Sequence, residues 1–287
     1  MALLSQALAL LAMAMATTAV DVIPLDMAPD SFDDQYRGCG TNMIAALSAL
    51  NQSEFQQNPL FAQAWLNATA KWQGQKYHGS SLLSPAQAIA LMAYTMDELY
   101  TEFNTAVRTA GRSSQEYREN FHFKTLHFLL TQALGTLRQA QNGQCHNVYR
   151  GVRTYRFKAK PGDIVRFGQF SSASQKEKIA KDFGSATMFQ VYTCHGAAIW
   201  NFSKYPNEEE VLIPPYETFQ VIKVSQEEEQ ARIWLNSTGT SSNYNCEWLQ
   251  GDAPGDSLVG WGYPLAPFHL GGLLLATTTL VVATGIL

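Results

Sequence analysis

The stretch Asn207-Glu208-Glu209-Glu210-Val211-Leu212-Ile213-Pro214-Pro215 sets three carboxylates before a short apolar run that two prolines close. β-Branched and large apolar residues favour a strand, and proline ends it because it cannot donate to a ladder. Side chains on a strand alternate faces. An extended reading therefore puts Glu208 and Glu210 on one face, about 7 Å apart, and Glu209 on the other. Two acids on one face can divide acid/base work or stabilise a developing cation. The competing reading is a solvated charged turn leading into a buried strand, and the triplet alone does not separate the two.

Working outward, strand-like character extends back to Asn142-Gly143 and forward to Val224. Val148-Tyr149-Arg150-Gly151-Val152, Ile164-Val165-Arg166-Phe167 and Phe170-Ser171-Ser172-Ala173-Ser174 are short and β-prone. Met188 to Tyr192, Ala197 to Trp200 and Thr218 to Val224 read the same way. Before Gln141 the periodicity is helical, with Met43, Leu47 and Leu50 on one face and Phe61, Ala64, Trp65 and Ala68 on another. Ser84-Pro85-Ala86-Gln87 predicts a helix start, with serine as N-cap, proline in the first turn and Gln87 as capping-box partner. Lys124 to Ala140 carries Leu126, Leu129, Leu130, Leu134 and Leu137 on a broad apolar face. Val20 to Asp34, with Pro24 and Pro29, predicts an extended lead-in. Helices followed by many short strands predict an α+β fold.

The 287 residues carry a net charge of -4, which gives no electrostatic basis for binding nucleic acid. Apolar residues at 46% and aromatics at 11% belong to a globular chain. Residues 1–19 have no charged side chain, an apolar stretch from Leu8 to Ala16, and small-residue cleavage options after Ala16 or Ala19, which predicts a secretory signal peptide. Near the other end, small residues at Gly251-Asp252-Ala253 or Gly255-Asp256-Ser257 precede a spacer and an apolar run from Leu270 to Leu287 without a basic stop. That pattern predicts a GPI-anchor propeptide over residues 256–287; a short membrane helix would lack its cytoplasmic basic anchor. The folded body is then residues 20–255.

Four sequons, at Asn51, Asn67, Asn201 and Asn236, agree with a secretory route and are glycosylation candidates. Cys39, Cys145, Cys194 and Cys246 include no CxxC pair, and the histidines show no metal-ligand spacing, so disulfides are expected and a metal is not. Three pairings are open. Cys39–Cys246, tying the ends of the body, with Cys145–Cys194, clamping the segment that carries the acids, is preferred.

Three features of the strand-rich half bear on chemistry. Arg150 sits in a short apolar strand, so it needs an anionic partner, whether a protein carboxylate or a ligand. The hydroxyls of Ser172 and Ser174 recur at strand spacing and can orient a sugar or a carboxylate. Glu208-x-Glu210 supplies the acids. As an ordered set, Cys145-His146-Asn147-Val148-Tyr149-Arg150-Gly151, Phe170-Ser171-Ser172-Ala173-Ser174 and Glu208 through Val221 resemble the vertebrate ecto-ADP-ribosyltransferases that modify arginine. The signature there is Arg, then Ser-x-Ser, then Glu-x-Glu, and the resemblance covers the whole body, its four cysteines and both terminal signals.

The resemblance implies a helical N-terminal half packed on a split mixed β-sheet, a fold shared with ADP-ribosylating bacterial toxins, and residues 20–255 as a catalytic domain. It implies NAD as co-substrate, no metal, inversion at the glycosidic carbon, and transfer of ADP-ribose to arginine on extracellular proteins. Arg150 matches the residue that meets the NAD pyrophosphate, Glu210 the catalytic glutamate, Ser172 the serine that orients it, and Glu208 the acid that holds the acceptor arginine. Tyr94, Gln169 and Ser203 are further implied NAD contacts, and Tyr205 an acceptor contact. A monomer at the cell surface is expected, with a secreted form as the alternative. Two rivals remain: an NAD glycohydrolase, for which Gln rather than Glu at 208 is expected, and a silent surface recognition protein, which would lack one of Arg150, Ser172 or Glu210.

Overall fold

The computed structural model describes residues 20–74, 82–227 and 230–250, so the signal peptide and anchor readings lie outside the described residues. The helical half comprises α1 (Gly40–Gln57), α2 (Pro59–Gln73), α3 (Pro85–Tyr94), α4 (Tyr100–Ala110), α5 (Ser114–Asn120) and α6 (Lys124–Ala140). Its starts follow the local chemistry. Ser84 Oγ accepts from the Gln87 backbone N–H and Gln87 Oε1 accepts from the Ser84 N–H, which closes the predicted capping box. No side chain of its own N-cap caps α6. Instead the buried Glu54 of α1 reaches across and accepts from the backbone N–H groups of Lys124 and Thr125, a carboxylate at the positive end of the helix.

The strand half forms two sheets. β1 (Asp21–Pro24) pairs in parallel with β3 (Tyr155–Lys158). The larger sheet contains β2 (His146–Val152), β4 (Ile164–Arg166), β5 (Ser171–Ser174), β6 (Thr187–Thr193), β7 (Ala197–Ala198), β8 (Glu210–Ile213), β9 (Glu217–Gln226) and β10 (Ala231–Thr240), in the order β4-β9-β10-β6-β2-β5-β8-β7. Its β6–β10 pair is parallel and the others antiparallel, so the sheet is mixed. It is also split. β2 and β5 are registered at Tyr149↔Ser174 alone, whereas β2 runs beside β6 from His146 to Val152 and β5 beside β8 from Ser171 to Ser174.

One core fills the helical half, around Phe32, Met43, Phe61, Leu91, Phe103, Leu130 and Phe170; the other lies on the sheet, around Val148, Phe189, Val191, Phe219 and Ile233. β8 serves both: Leu212 belongs to the first, Val211 and Ile213 to the second. That explains why its sequence is a continuous apolar run. A short helix, α7 (Glu177–Asp182), lies against β2. A Cβ on Gly151 would sit 2.0 Å from the Ala180 carbonyl oxygen, so this close approach requires the glycine after Arg150.

The two ends of the described chain are latched together. Cys39 is bonded to Cys246, and Cys145 to Cys194. Beside the first disulfide, Asp33 pairs with Arg166 at 2.6 Å, both side chains enclosed, and accepts from the backbone of Asn243 and Tyr244. Asp33→Ala would leave the Arg166 cation buried without its counter-charge. It is expected to cost roughly 3–5 kcal/mol in a urea unfolding experiment; a loss under 1 kcal/mol would show the pair to be dispensable.

Some sequence expectations need correction. The strand read over Ala197 to Trp200 is two residues long, because the chain enters a 3-10 turn at Trp200–Phe202. Glu208 is not on the strand of Glu210. It ends a 3-10 turn, Pro206–Glu208, and Glu209 is left-handed at φ 47° and ψ 50°. The β5–β8 ladder stops at Ser174↔Glu210, so strand alternation has no partner to enforce it before Glu210. β1 falls within the expected extended lead-in, whereas β3 and β10 carry no expectation from the sequence; the reason for β10 is taken up below.

Candidate active site

At the split, β2, β5 and β8 bring Arg150, Ser172 and Glu210 together. Diverging strands leave backbone groups without ladder partners, and the Arg150 guanidinium satisfies one of them: Nη1 donates to the Ser172 carbonyl at 2.7 Å. Nη2 donates to the Tyr100 hydroxyl at 3.2 Å. Both acceptors are neutral. None of the ion pairs among the described residues involves Arg150, so the reading of Arg150 as half of a structural ion pair has no support in this geometry.

Glu210 opens β8 and is 6% exposed. Burial pushes its carboxyl up to about 7, hydrogen bonds from the Ser172 and Ser203 hydroxyls and the Arg150 charge pull the other way, and Glu208 adds to the rise. Ser203 Oγ donates to Glu210 Oε2 at 3.2 Å and accepts from the Tyr205 backbone N–H at 3.0 Å. Ser172 Oγ also faces the Tyr94 hydroxyl at 3.4 Å. Glu208 is half-buried on the turn before the strand, and its carboxyl is raised by burial first and then by the charge of Asp97. The site therefore holds one enclosed acid and one half-buried acid, with a cation beside the first.

Three other expected contacts sit differently from the way the sequence suggests. Tyr94 is 1% exposed. Its hydroxyl donates to the Phe170 carbonyl at 2.9 Å, accepts from Asn104 Nδ2 at 3.3 Å, and meets Ser172. These bonds tie the side chain to the serine strand. Gln169 is buried and its Oε1 accepts from the Arg108 guanidinium. Ser203 is buried behind Glu210, where it orients the acid. At the rim, Tyr205 is 37% exposed, with its hydroxyl donating to Asp97 Oδ2 at 2.9 Å; Lys204 Nζ lies 3.0 Å from the same oxygen.

Tyr100 and Asn104, which brace Arg150 and Tyr94, were not legible in the sequence; an aromatic opening a helix carries no signal beyond packing. Of the glycosylation candidates, Asn201 and Asn236 are exposed, while Asn51 and Asn67 are half-buried on helices.

The family model for NAD:arginine ADP-ribosyltransferases matches residues 25–243. The chain is 51% identical over 231 residues to the erythroblast NAD(P)(+)--arginine ADP-ribosyltransferase of Gallus gallus, covering 79% of this chain and 77% of that one. It is 51% identical over 239 residues to the GPI-linked NAD(P)(+)--arginine ADP-ribosyltransferase 1 of Mus musculus, covering 79% and 74%. Among solved structures, the eucaryotic mono-ADP-ribosyltransferase ART2.2 matches with a TM-score of 0.68 at 38% identity, over 79% of this chain and 98% of that one. A variant of ART2.2 solved in complex with NAD matches with a TM-score of 0.67 at 37% identity.

Proposed function

This chain belongs to the NAD:arginine ADP-ribosyltransferase family, and we infer that it moves ADP-ribose from NAD to arginine side chains of extracellular proteins, releasing nicotinamide. The observation that carries the assignment of roles is the enclosed Glu210 carboxylate beside Arg150 and Ser172 at the split of the sheet.

Breaking the nicotinamide–ribose bond develops positive charge on the ribose, as in glycoside cleavage. A carboxylate already in place stabilises that charge only as it forms, and so accelerates the step rather than merely binding the substrate. Glu210 has this role, with Ser203 and Ser172 holding it. Among the described residues Arg150 is in no ion pair, with Glu210 the acid that feels its charge, and it keeps a planar fork of donors, which suits a pyrophosphate. The arriving guanidinium nitrogen bonds to the ribose carbon while nicotinamide leaves with the electron pair of the broken bond. The displaced proton goes to Glu208, whose raised carboxyl is a better base than an ordinary one.

Labelled NAD incubated with the purified protein and a free arginine analogue tests the reading. Label on the analogue is expected, and its absence with intact NAD binding would overturn the assignment. The pH profile follows from Glu210. Its neutral form cannot stabilise a cation, so kcat/KM for NAD should rise with pH through about 7 and level off above. Two pH units below that value the loss should be about 100-fold. A flat profile between pH 5 and 8 would contradict the role.

The GPI-linked relatives of Mus musculus and Homo sapiens support a cell-surface location for this chain too; residues 20–255 are read as the catalytic domain, acting as a monomer, and residues 256–287 as the propeptide removed on anchoring.

A further inference from the structure

Glu209 lies between the two acids, and its backbone is the reason they do not alternate as on a strand. A left-handed conformation at a residue with a Cβ is costly unless its surroundings enforce it. The surroundings are specific. The three successive carbonyls of the turn each accept from one of three successive residues, Ser174 at the end of β5 and Gln175 and Lys176 just after it. The Asn207 carbonyl accepts from Lys176 Nζ at 3.5 Å, the Glu208 carbonyl from Ser174 Oγ at 2.6 Å, and the Glu209 carbonyl from the Gln175 backbone N–H at 3.3 Å. Lys176 Nζ also pairs with the Glu209 carboxylate at 2.8 Å, and its backbone N–H donates to Ser174 Oγ at 3.0 Å, which closes the unit on itself.

We propose that Ser174 and Lys176 are positioning residues that set the balance between arginine transfer and NAD hydrolysis, by holding the Asn207–Glu209 turn so that Glu208 faces the acceptor. The peptide planes on both sides of Glu209 are fixed by this clamp, and the direction of the Glu208 side chain follows from them. Glu210 is held by other groups: the β5–β8 ladder, Ser203 and Ser172. Loosening the clamp therefore misplaces the acid that serves arginine and leaves the acid that serves the ribose. With Glu208 displaced, a water oxygen instead of the guanidinium nitrogen bonds to the ribose carbon, its proton passes to solvent, and the bond broken, nicotinamide leaving with its electron pair, is the same.

The proposal rests on the roles given to Glu208 and Glu210 above. Its test is the ratio of transfer to hydrolysis, a readout that a merely structural role would not move. The double variant Ser174→Ala with Lys176→Met is expected to lower transfer to a free arginine analogue at least about 10-fold, with NAD hydrolysis and KM for NAD within about twofold of the original protein. The Lys176–Glu209 pair is solvent-exposed, so its loss should barely move the melting temperature. Glu209→Gly tolerates positive φ and should keep transfer, whereas Glu209→Val, β-branched and strained there, should lose it. An unchanged ratio in the double variant would overturn the proposal, and so would an equal fall in both activities. Absence of transfer in the unmodified protein would overturn both this proposal and the functional reading, which separates that failure from a failure of the clamp alone.

Discussion

Glu210→Gln is expected to lower arginine transfer and NAD hydrolysis together, by about 10³-fold or more, because both pass through the same cationic ribose. Glutamine keeps the shape and can still accept from Ser203, so the site should stay assembled while the charge is gone. The same substitution should stabilise the fold at alkaline pH. An acid whose folded value is about 7 against an ordinary 4.5 holds its proton more tightly when folded. Between those values the folded state binds more protons than the unfolded one, so stability falls as pH rises. That cost is absent below the unfolded value and complete above about 7, where it amounts to at most about 3 kcal/mol. Urea unfolding of both proteins at pH 4 and at pH 8 isolates it. Other buried acids, such as Asp34, Glu54 and Glu217, are also raised by burial, but they are common to both proteins and cancel. A variant that is inactive but gains nothing at pH 8 would mean Glu210 is not strained by its burial; one that keeps a tenth of its turnover would remove it from the chemistry.

Trading fold stability for a poised carboxylate is typical of a site, and it bears on what could be read from the sequence. Local signals were legible where one segment determines its own structure. The Ser84–Gln87 box marks the start of α3, and the leucine face read from about Lys124 to Ala140 gives α6. The Arg, Ser-x-Ser and Glu-x-Glu elements were legible as an ordered set. Their meeting was not, because it depends on the single-pair junction between β2 and β5. Glu208 shows the limit most clearly: alternation was extended past the last ladder pair, and a left-handed glutamate leaves no mark in the sequence. Tyr94 and Ser203 are legible as site residues through the family resemblance, but the protein partners of their hydroxyls, the Phe170 carbonyl and Glu210, lie far off or out of register in the sequence and carry no local signal. β10 escaped for another reason. Ala231, Ile233 and Leu235 alternate inward, but its second half is Asn-Ser-Thr-Gly-Thr, which reads as a loop, and bulges at Trp234/Leu235 and Ser237/Gly239 break the period.

Glu208→Gln should separate the two activities that Glu210→Gln removes together. Arginine transfer is expected to fall about 100-fold or more, since a neutral amide neither pairs with the guanidinium nor takes its proton, while NAD hydrolysis stays within a few-fold. The turn itself should hold, because Ser174, Gln175 and Lys176 grip main-chain carbonyls and not this side chain. A second consequence carries a definite sign. The Glu208 charge is one of the influences that raise the Glu210 carboxyl. Removing it lowers that value, so the acid limb of NAD hydrolysis should move to lower pH in the variant. Burial, the larger cause, remains, so the limb should move only part of the way toward an ordinary glutamate. Intact transfer would take the acceptor role from Glu208. A limb that moves to higher pH, or hydrolysis that collapses with transfer, would mean that the two acids act as one unit and that their separation into two roles is wrong.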